Sequence, residues 1–334
     1  MSRYRNRLLC GGAFVLSCLA GSVLAGELSG VAVSAGYRLD SLDWNIDGRG
    51  NPVGSSPNIL SELQWRDLDI FQLKGEVAGV NAKGVYFRGF ASRGWVVDGE
   101  NQDSDYAGDN RTLEFSRSIN GVDGSKVVDL GGGLGYEIQF GEQTRHSLIP
   151  LLGISYHYQG LRMTDARQVV SDLANAQVLD PGITGLPALG PFAGLNSSYG
   201  AEWYGPWLGA DLLLDLLDSG VVYTRLERHW ARYSAQANWN LREEFAHPVS
   251  FEHKADGRGW VLELGWRQPP SVYHWVWGVT LSLQRWHTDS GVDRTYFVDP
   301  DPPCNGNCYV EGRLNEANWS SSSLSLTLRK EFAH

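Results

Sequence analysis

The stretch that decides the fold is YHWVWGVTLSL, residues 273–283. Every second residue in it is aromatic or aliphatic, whereas the residues between them are polar or small, with Val276 as the exception. Side chains of a β-strand point alternately to opposite faces, so this stretch predicts a strand with one apolar and one polar face. The same alternation occurs in LGGGLGYEIQF at 130–140, WVLELGW at 260–266 and LSLTLRKEF at 324–332.

These amphipathic strands suit a membrane barrel better than a soluble sandwich. They run for about 10 to 15 residues, whereas globular strands usually have about five or six. Aromatic residues cluster near their ends, as in the girdles of outer-membrane barrels. We predict an all-β fold, a ten-stranded antiparallel transmembrane β-barrel. Ten is an even number, as in single-chain bacterial barrels. The predicted strands are 28–39, 59–80, 84–97, 126–141, 146–162, 203–216, 220–236, 257–268, 272–287 and 319–332.

The connections between these strands alternate between short turns and long polar loops. The loops cover residues 40–58, 98–125, 163–202, 237–256 and 288–318. Four turns and five loops place both chain ends on the side of the turns. We expect this side to be the periplasm and the long loops to face the cell exterior. The third and fifth loops are candidate contact surfaces.

The N-terminus and the composition point to an exported protein. Arg3, Arg5 and Arg7 precede an apolar run at 8–16, and small residues end at Ala25, so residues 1–25 predict a signal peptide and 26–334 a single barrel domain. A lipoprotein site at Cys18 is the alternative. The formal net charge is −10. Because the signal carries three of the basic residues and no acid, the mature chain is more acidic still, which argues against nucleic-acid binding.

The cysteines indicate an oxidising compartment. Cys10 and Cys18 leave with the signal, and Cys304 and Cys308 remain in PPCNGNC at 302–308. In an exported protein this pair predicts a small loop disulfide. A metal site needs further ligands nearby, and none is apparent in the sequence, so we expect neither a metal nor a cofactor.

The polar faces of the strands predict a barrel lumen filled by charge. A barrel of this size is narrow, since eight strands are already filled by side chains. Charges of both signs therefore predict a salt-bridged plug, with an ion pathway as the alternative. The residues concerned are Lys74, Glu76, Arg88, Glu137, Arg225, Glu227 and Glu263.

The architecture and two local motifs resemble the omptins, a family of outer-membrane endopeptidases. The motifs are NILSELQW at 58–65 and DSD at 103–105, and the similarity is nearest to the omptin-like branch called Protochlamydia outer membrane protein. The resemblance covers the mature chain as architecture and is strongest from Ile59 to Asp105. It implies a catalytic site with two halves across a cleft at the outer rim, an Asp-x-Asp pair and an Asp-x-His couple that activates water.

The resemblance assigns the first half of that site to Asp103 and Asp105. Period two puts both carboxylates on one face, where two like charges would raise one pKa and suit acid/base work. Asp-x-His does not occur in the chain. The corresponding positions fall on Glu243 and Phe245, with His247 two residues later and His253 further on. Glu243 and His247 are therefore the candidate second half, and the spacing of Glu227 and His229 offers an alternative couple.

The resemblance also implies lipopolysaccharide as an associated lipid, held by outward residues near the rim. Tyr156 matches that pattern, and ordinary girdle packing is the alternative. Because the second half of the catalytic site is incomplete, we predict a monomeric surface protein of the Gram-negative outer membrane with a binding or structural role. An omptin-type endopeptidase is the first alternative and a narrow channel the second. The extracellular ligand or peptide is not specified by the sequence.

Overall fold

The barrel wall is built from long antiparallel strands. The structure, a computed structural model, describes residues 27–48, 56–141, 146–269, 271, 273–298 and 308–332, so the predicted signal peptide lies outside it. It includes one short α-helix, α1 (Leu173–Leu179), and 3₁₀ turns at Asp109–Arg111 and Leu217–Ser219. The strands are β1 (Glu27–Ile46), β2 (Ser61–Val80), β3 (Val85–Gly108), β4 (Thr112–Gly121), β5 (Lys126–Tyr136), β6 (Ile138–Phe140), β7 (His146–Ser171), β8 (Gly190–Pro191), β9 (Ser197–Asp215), β10 (Val221–Asn238), β11 (Phe251–Arg267), β12 (Trp275–Thr288), β13 (Gly291–Tyr296) and β14 (Tyr309–Glu331).

The sheet closes on itself. Neighbouring strands pair in chain order, and β1 pairs with β14 from Gly30↔Glu331 to Ile46↔Leu314. β4, β5 and β6 occupy one position in the ring of strands, one after another along the barrel wall. β12 and β13 share another position in the same way, and β8 is a two-residue addition to β7. The wall is therefore a ring of ten strands, and the predicted fold is confirmed.

The outer surface carries an apolar band that fits a membrane. Large apolar side chains are exposed along this band, which needs lipid rather than water as its surroundings. Aromatic residues mark its two edges. Among the described residues, no helix is long and apolar enough to cross a membrane. The band includes Val33, Leu73, Leu134, Leu152, Leu208, Leu226, Leu264, Leu281 and Leu326, with Trp95, Tyr204, Trp230 and Trp260 toward the loops and Tyr136, Trp266 and Trp275 toward the turns.

The strands continue beyond the band, so the predicted loop boundaries are wrong in several places. β3 runs to Gly108 rather than to residue 97, and β7 runs to Ser171 rather than to 162. In these extensions several inward positions carry apolar side chains of the core, while Asp103 and Asp105 on β3 also face inward. On β2 Leu68 and Ile70 are already buried, and a bulge near Asp67, whose φ is +50°, then shifts the phase of the alternation. Trp65 and Leu63, beyond the bulge, are therefore buried.

Charge fills the lumen inside the membrane band, as predicted. Arg225 binds Glu76 at 2.7 Å and Glu263 at 3.1 Å, and Lys74 binds Glu263 at 2.9 Å. In the next layer toward the loops, Arg88 pairs with Glu227 and with Asp211, and Arg38 lies 2.6 Å from both Asp40 and Asp129. Glu137 is separate and accepts a hydrogen bond from Ser147 near the turns.

An aromatic core fills the lumen above these charges. It is contiguous, and its large rings are almost inaccessible to solvent. Trp286 stacks on Trp319 with centroids 5.3 Å apart, and Trp65 stacks on Tyr199 at 5.3 Å. The half of the barrel beyond the membrane thus has an apolar interior like that of a globular protein. The largest members are Trp44, Trp65, Tyr199, Trp203, Tyr233, Phe251, Trp286 and Trp319.

Candidate functional site

The acid pair of the sequence prediction lies on the lumen-facing side of the β3 extension. Asp103 is opposite Leu63 and Asp105 is opposite Ser61 in the β2–β3 ladder. Leu63 belongs to the buried core, so the two half-buried carboxylates share the inner face, as period two predicts. Burial raises the pKa of Asp103 well above its ordinary value, and the neighbouring Asp105 raises it further. Burial also raises the pKa of Asp105.

The loop-four side chain whose charge acts on this pair is Arg242. Its guanidinium offsets part of the rise in pKa of both Asp103 and Asp105. Arg242 also pairs with Glu244 and lies 4.7 Å from the ring centre of Phe245. A permanently charged guanidinium cannot take a proton from water. The group near the acid pair therefore lacks the chemistry of a general base.

The predicted second half of the site lies in the turn after β10. Glu243 is exposed. His247 is exposed as well, and its Nδ1 lies 2.7 Å from Oδ1 of Asn238, an amide rather than a carboxylate. The contact of His247 with Asn238 does not connect it to the acid pair. The roles of Asp103, Asp105, Glu243 and His247 stay predictions.

A histidine–carboxylate couple that sequence reasoning missed lies inside the loop-end core. His253 on β11 is in register with Asp293 on β13, and its Nε2 lies 3.2 Å from the carboxylate. Its Nδ1 lies 2.9 Å from the hydroxyl of Tyr199, which in turn bonds the hydroxyl of Tyr233. His253 has no accessible surface, because Trp44 and Phe251 cover it. The sequence signal that could have found His253 is the alternation that leads from Phe251 into the predicted strand at 257–268.

The alternative couple of the sequence prediction is a structural part of the lumen. His229 Nε2 lies 2.8 Å from Glu227, and its Nδ1 lies 3.0 Å from the hydroxyl of Ser155. Glu227 also pairs with Arg88. Both nitrogens of His229 are thus occupied, and all four residues are buried. Among the described residues, no cluster of three or more histidine, cysteine or acidic side chains is placed to hold a metal.

Two further predictions stay untested. Tyr156 lies on the outward face of β7, half-buried, and donates to Oε1 of Glu202 at 3.1 Å. Its role in lipid contact stays a prediction. Cys304 lies outside the described residues, so the predicted disulfide with Cys308 also stays a prediction.

The raised pKa of Asp103 predicts a pH-dependent gain from removing its charge. The folded state disfavours the ionised form, so Asp103 stabilises the fold less as the pH rises through its raised pKa. Asp103→Asn is therefore expected to raise the melting temperature at pH 7.5. The gain should vanish near pH 3, below the ordinary carboxyl pKa of about 3.9. Thermal unfolding of the refolded barrel at both pH values measures it, with the exposed Asp123→Asn as control. A gain that is equal at both pH values would contradict this account.

The ring of ten strands, its apolar band and its polar lumen define an outer-membrane β-barrel. The sequence profile of the Protochlamydia outer membrane protein family matches residues 32–332, and the chain belongs to that family. Among curated proteins none matches the sequence.

A solved outer-membrane structure shares the fold, and others are similar to a lower degree. The outer membrane protease OmpT from Escherichia coli superposes with a TM-score of 0.66 at 11% identity, over 92% of this chain and 97% of that one. The translocator domain of the autotransporter NalP from Neisseria meningitidis gives 0.34 at 10% identity, over 96% of both chains. OprG from Pseudomonas aeruginosa gives 0.32 at 11% identity, over 92% of this chain and 99% of that one. At 11% identity the likeness to the Escherichia coli protease concerns the fold alone.

Proposed function

We propose that this chain is a monomeric surface protein of the outer membrane that binds ligands or supports the envelope through its outward-facing loops, and that it does not hydrolyse peptides efficiently. The observation that carries the proposal is the aromatic core across the loop-end lumen. It occupies the interior between the wall that carries Asp103 and Asp105 and the wall that carries His253. A bound peptide needs that space.

The groups available for proton transfer also argue against efficient peptide hydrolysis. A general base must come within about 3 Å of the water proton that it takes. His253, the histidine with a carboxylate partner, is sealed and engaged by Tyr199. The exposed His247 faces Asn238, and the charge near the acid pair is Arg242. His253 therefore lacks access to a substrate, His247 lacks a carboxylate partner, and Arg242 cannot accept a proton.

An omptin-type endopeptidase is the second candidate, favoured by the acid pair itself. Two half-buried carboxylates with raised pKa on one inner face are suited to flanking a water molecule. In this case His253 with Asp293 is a better second half than Glu243 with His247, because the histidine–carboxylate contact is already made. The aromatic rings over His253 would then have to move before a substrate binds.

The rim of the barrel supports a lipid partner, lipopolysaccharide. Arg228, Arg232 and Arg258 line an outward groove of about 620 Å³ beside Trp230 and Tyr204. Arg228 lies 4.8 Å from the ring centre of Trp260. Arginine and aromatic side chains at a membrane edge suit the phosphates and the acyl boundary of a lipid. Tyr156 on the neighbouring strand is bonded to Glu202, and Arg258 in the groove pairs with Asp289, so Arg228 and Arg232 are the better candidates.

A mixed peptide library tests the catalytic part of the proposal. The refolded protein would be incubated with the library, with and without lipopolysaccharide, and the products read by mass spectrometry. We expect no cleavage, while the Escherichia coli protease, as positive control, cleaves. Asp103→Ala, His253→Ala and His247→Ala would run in parallel. Cleavage by the wild type that Asp103→Ala abolishes would overturn the proposal, and the two histidine variants would then tell which residue completes the site.

A further inference from the structure

The aromatic core contains a buried tyrosine that stacks on two tryptophans. The ring centre of Tyr199, on β9, lies 5.7 Å from that of Trp44 with an interplanar angle of 27°. It lies 5.3 Å from that of Trp65 with an interplanar angle of 24°. All three residues are at most 2% exposed. The phenol of Tyr199 is therefore in contact with two indoles and out of reach of water.

The hydroxyl of Tyr199 faces a proton acceptor. Nδ1 of His253 lies 2.9 Å from it, and Nε2 of the same ring lies 3.2 Å from the carboxylate of Asp293. Since the carboxylate favours the ring proton on Nε2, Nδ1 presents a lone pair and Tyr199 donates to it. Tyr233, whose hydroxyl contacts that of Tyr199, is then the donor in that second hydrogen bond. The bonds are thus ordered for a proton to pass from Tyr199 to His253.

This proton does not leave Tyr199 by ordinary ionisation. Burial raises the pKa of Tyr199 well above its ordinary value, and the neighbouring Tyr233 raises it further. Loss of an electron reverses the balance, because an oxidised phenol is a strong acid and a base at hydrogen-bond distance takes its proton. The imidazolium formed at His253 is then paired with the carboxylate of Asp293.

Further oxidisable rings connect this tyrosine with the rest of the core. The ring centre of Trp286 lies 5.9 Å from that of Trp203, which lies 4.5 Å from that of Tyr233. Electrons cross separations of this order between packed rings without contact between oxidant and donor. An indole that has lost an electron regains one from Tyr199, because the neutral tyrosyl radical that has passed its proton to His253 is the product of lower energy.

We propose that Tyr199 is a one-electron redox site that gives an electron to oxidising radicals, with His253 as the acceptor of its proton. One electron passes from the Tyr199 ring through the stacked indoles to the oxidant, which is reduced by one electron. The hydroxyl O–H bond breaks as its proton passes to Nδ1 of His253. The products are a neutral tyrosyl radical and an imidazolium. This inference goes beyond the proposed surface function and does not depend on it.

Flash photolysis of the refolded full chain with tris(bipyridine)ruthenium(II) and persulfate tests the site, since this pair generates a one-electron oxidant in solution. Electron paramagnetic resonance and transient absorption follow the tyrosyl radicals. The wild type is expected to show a long-lived tyrosyl signal. Tyr199→Phe keeps the stacked ring, and His253→Gln keeps a hydrogen-bond acceptor but not a base. Each is expected to lose the long-lived signal completely.

Two matched tyrosine variants show whether the position matters. Tyr106 is buried as well, but its hydroxyl faces Glu62 at 3.4 Å, and Tyr136 is 54% exposed on the outer surface. Tyr106→Phe and Tyr136→Phe should both keep the long-lived signal. Only variants that remain heat-modifiable on gels, and are therefore folded, are compared. A long-lived signal that survives in Tyr199→Phe or His253→Gln, or that is absent from the wild type, would overturn the proposal.

The movement of the proton can be measured without any substitution. The wild type is refolded in heavy water, so that the buried hydroxyl of Tyr199 carries deuterium. Formation of the long-lived signal is expected to be slower than in ordinary water, because the proton moves together with the electron. An equal rate in the two solvents would refute the role of His253.

Discussion

Replacing Arg88 by methionine is expected to lower the free energy of unfolding of the barrel by about 3–5 kcal/mol. Arg88 pairs with Glu227 and Asp211, and the side chains of all three are at most 8% exposed. The substitution keeps much of the side-chain volume but leaves two buried carboxylates without their common cation. Removing one partner of a buried pair is costly because the remaining charge cannot be solvated. Glu227 would keep only His229, and Asp211 would keep Arg225 at 3.5 Å.

Urea-induced unfolding in lipid vesicles, followed by tryptophan fluorescence, measures this loss. The matched control is Arg93→Met on the same strand, where the arginine is exposed and lies 5.3 Å from the ring centre of Trp95. A surface substitution of that kind usually changes stability by less than about 0.5 kcal/mol. Adding Glu227→Gln to Arg88→Met should recover part of the loss. Equal effects of Arg88→Met and Arg93→Met would show that the charged layer does not hold the barrel together.

Truncating Trp203 to alanine is expected to cost a similar amount, about 3–5 kcal/mol, through a different cause. Trp203 has no accessible surface, and its ring centre lies 4.5 Å from that of Tyr233. Its Nε1 also donates to Gln159 at 3.2 Å. The substitution opens a cavity at the centre of the aromatic core and leaves the Gln159 carbonyl without its donor.

The same urea titration measures this variant. Trp203→Phe keeps the ring contact but loses the indole donor, so its loss should be clearly smaller. Trp239→Ala is the control, since Trp239 is only partly buried at the edge of the core. If all three variants unfolded at the same urea concentration, the aromatic core would be incidental to stability.

The membrane part of the fold was predictable because lipid and lumen impose opposite demands on alternate residues. The alternation of apolar and polar residues in segments such as 273–283 reflects those demands directly. The extensions were not predictable in the same way. Their interior is an apolar core, so rings such as Trp65 take inward positions there, next to the inward carboxylates of Asp103 and Asp105. On β2 the bulge at Asp67 also shifts the phase, and a strand read from 59 to 80 in one phase places Trp65 on the wrong face.

The candidate site shows the same limit. Asp103 and Asp105 are two residues apart, so their common face follows from strand period alone. His253 and Asp293 are distant in sequence and meet only through the register of β11 with β13. No local motif encodes a register between strands that flank a long connection. Counting forward from a strand end to Glu243 and His247 could not reveal which histidine acquires a carboxylate.

The apolar core in the loop-end half of the barrel has a consequence for how the outer surface of that half can change in sequence. The half of the barrel beyond the membrane is held by its own buried rings, so its outward residues carry little of the folding free energy. Substitutions there usually shift stability by less than about 0.5 kcal/mol. The exposed faces of β1, β2 and β14 can therefore change in sequence while the interior stays fixed. The buried core thus fixes the fold, while the exposed side chains can be substituted.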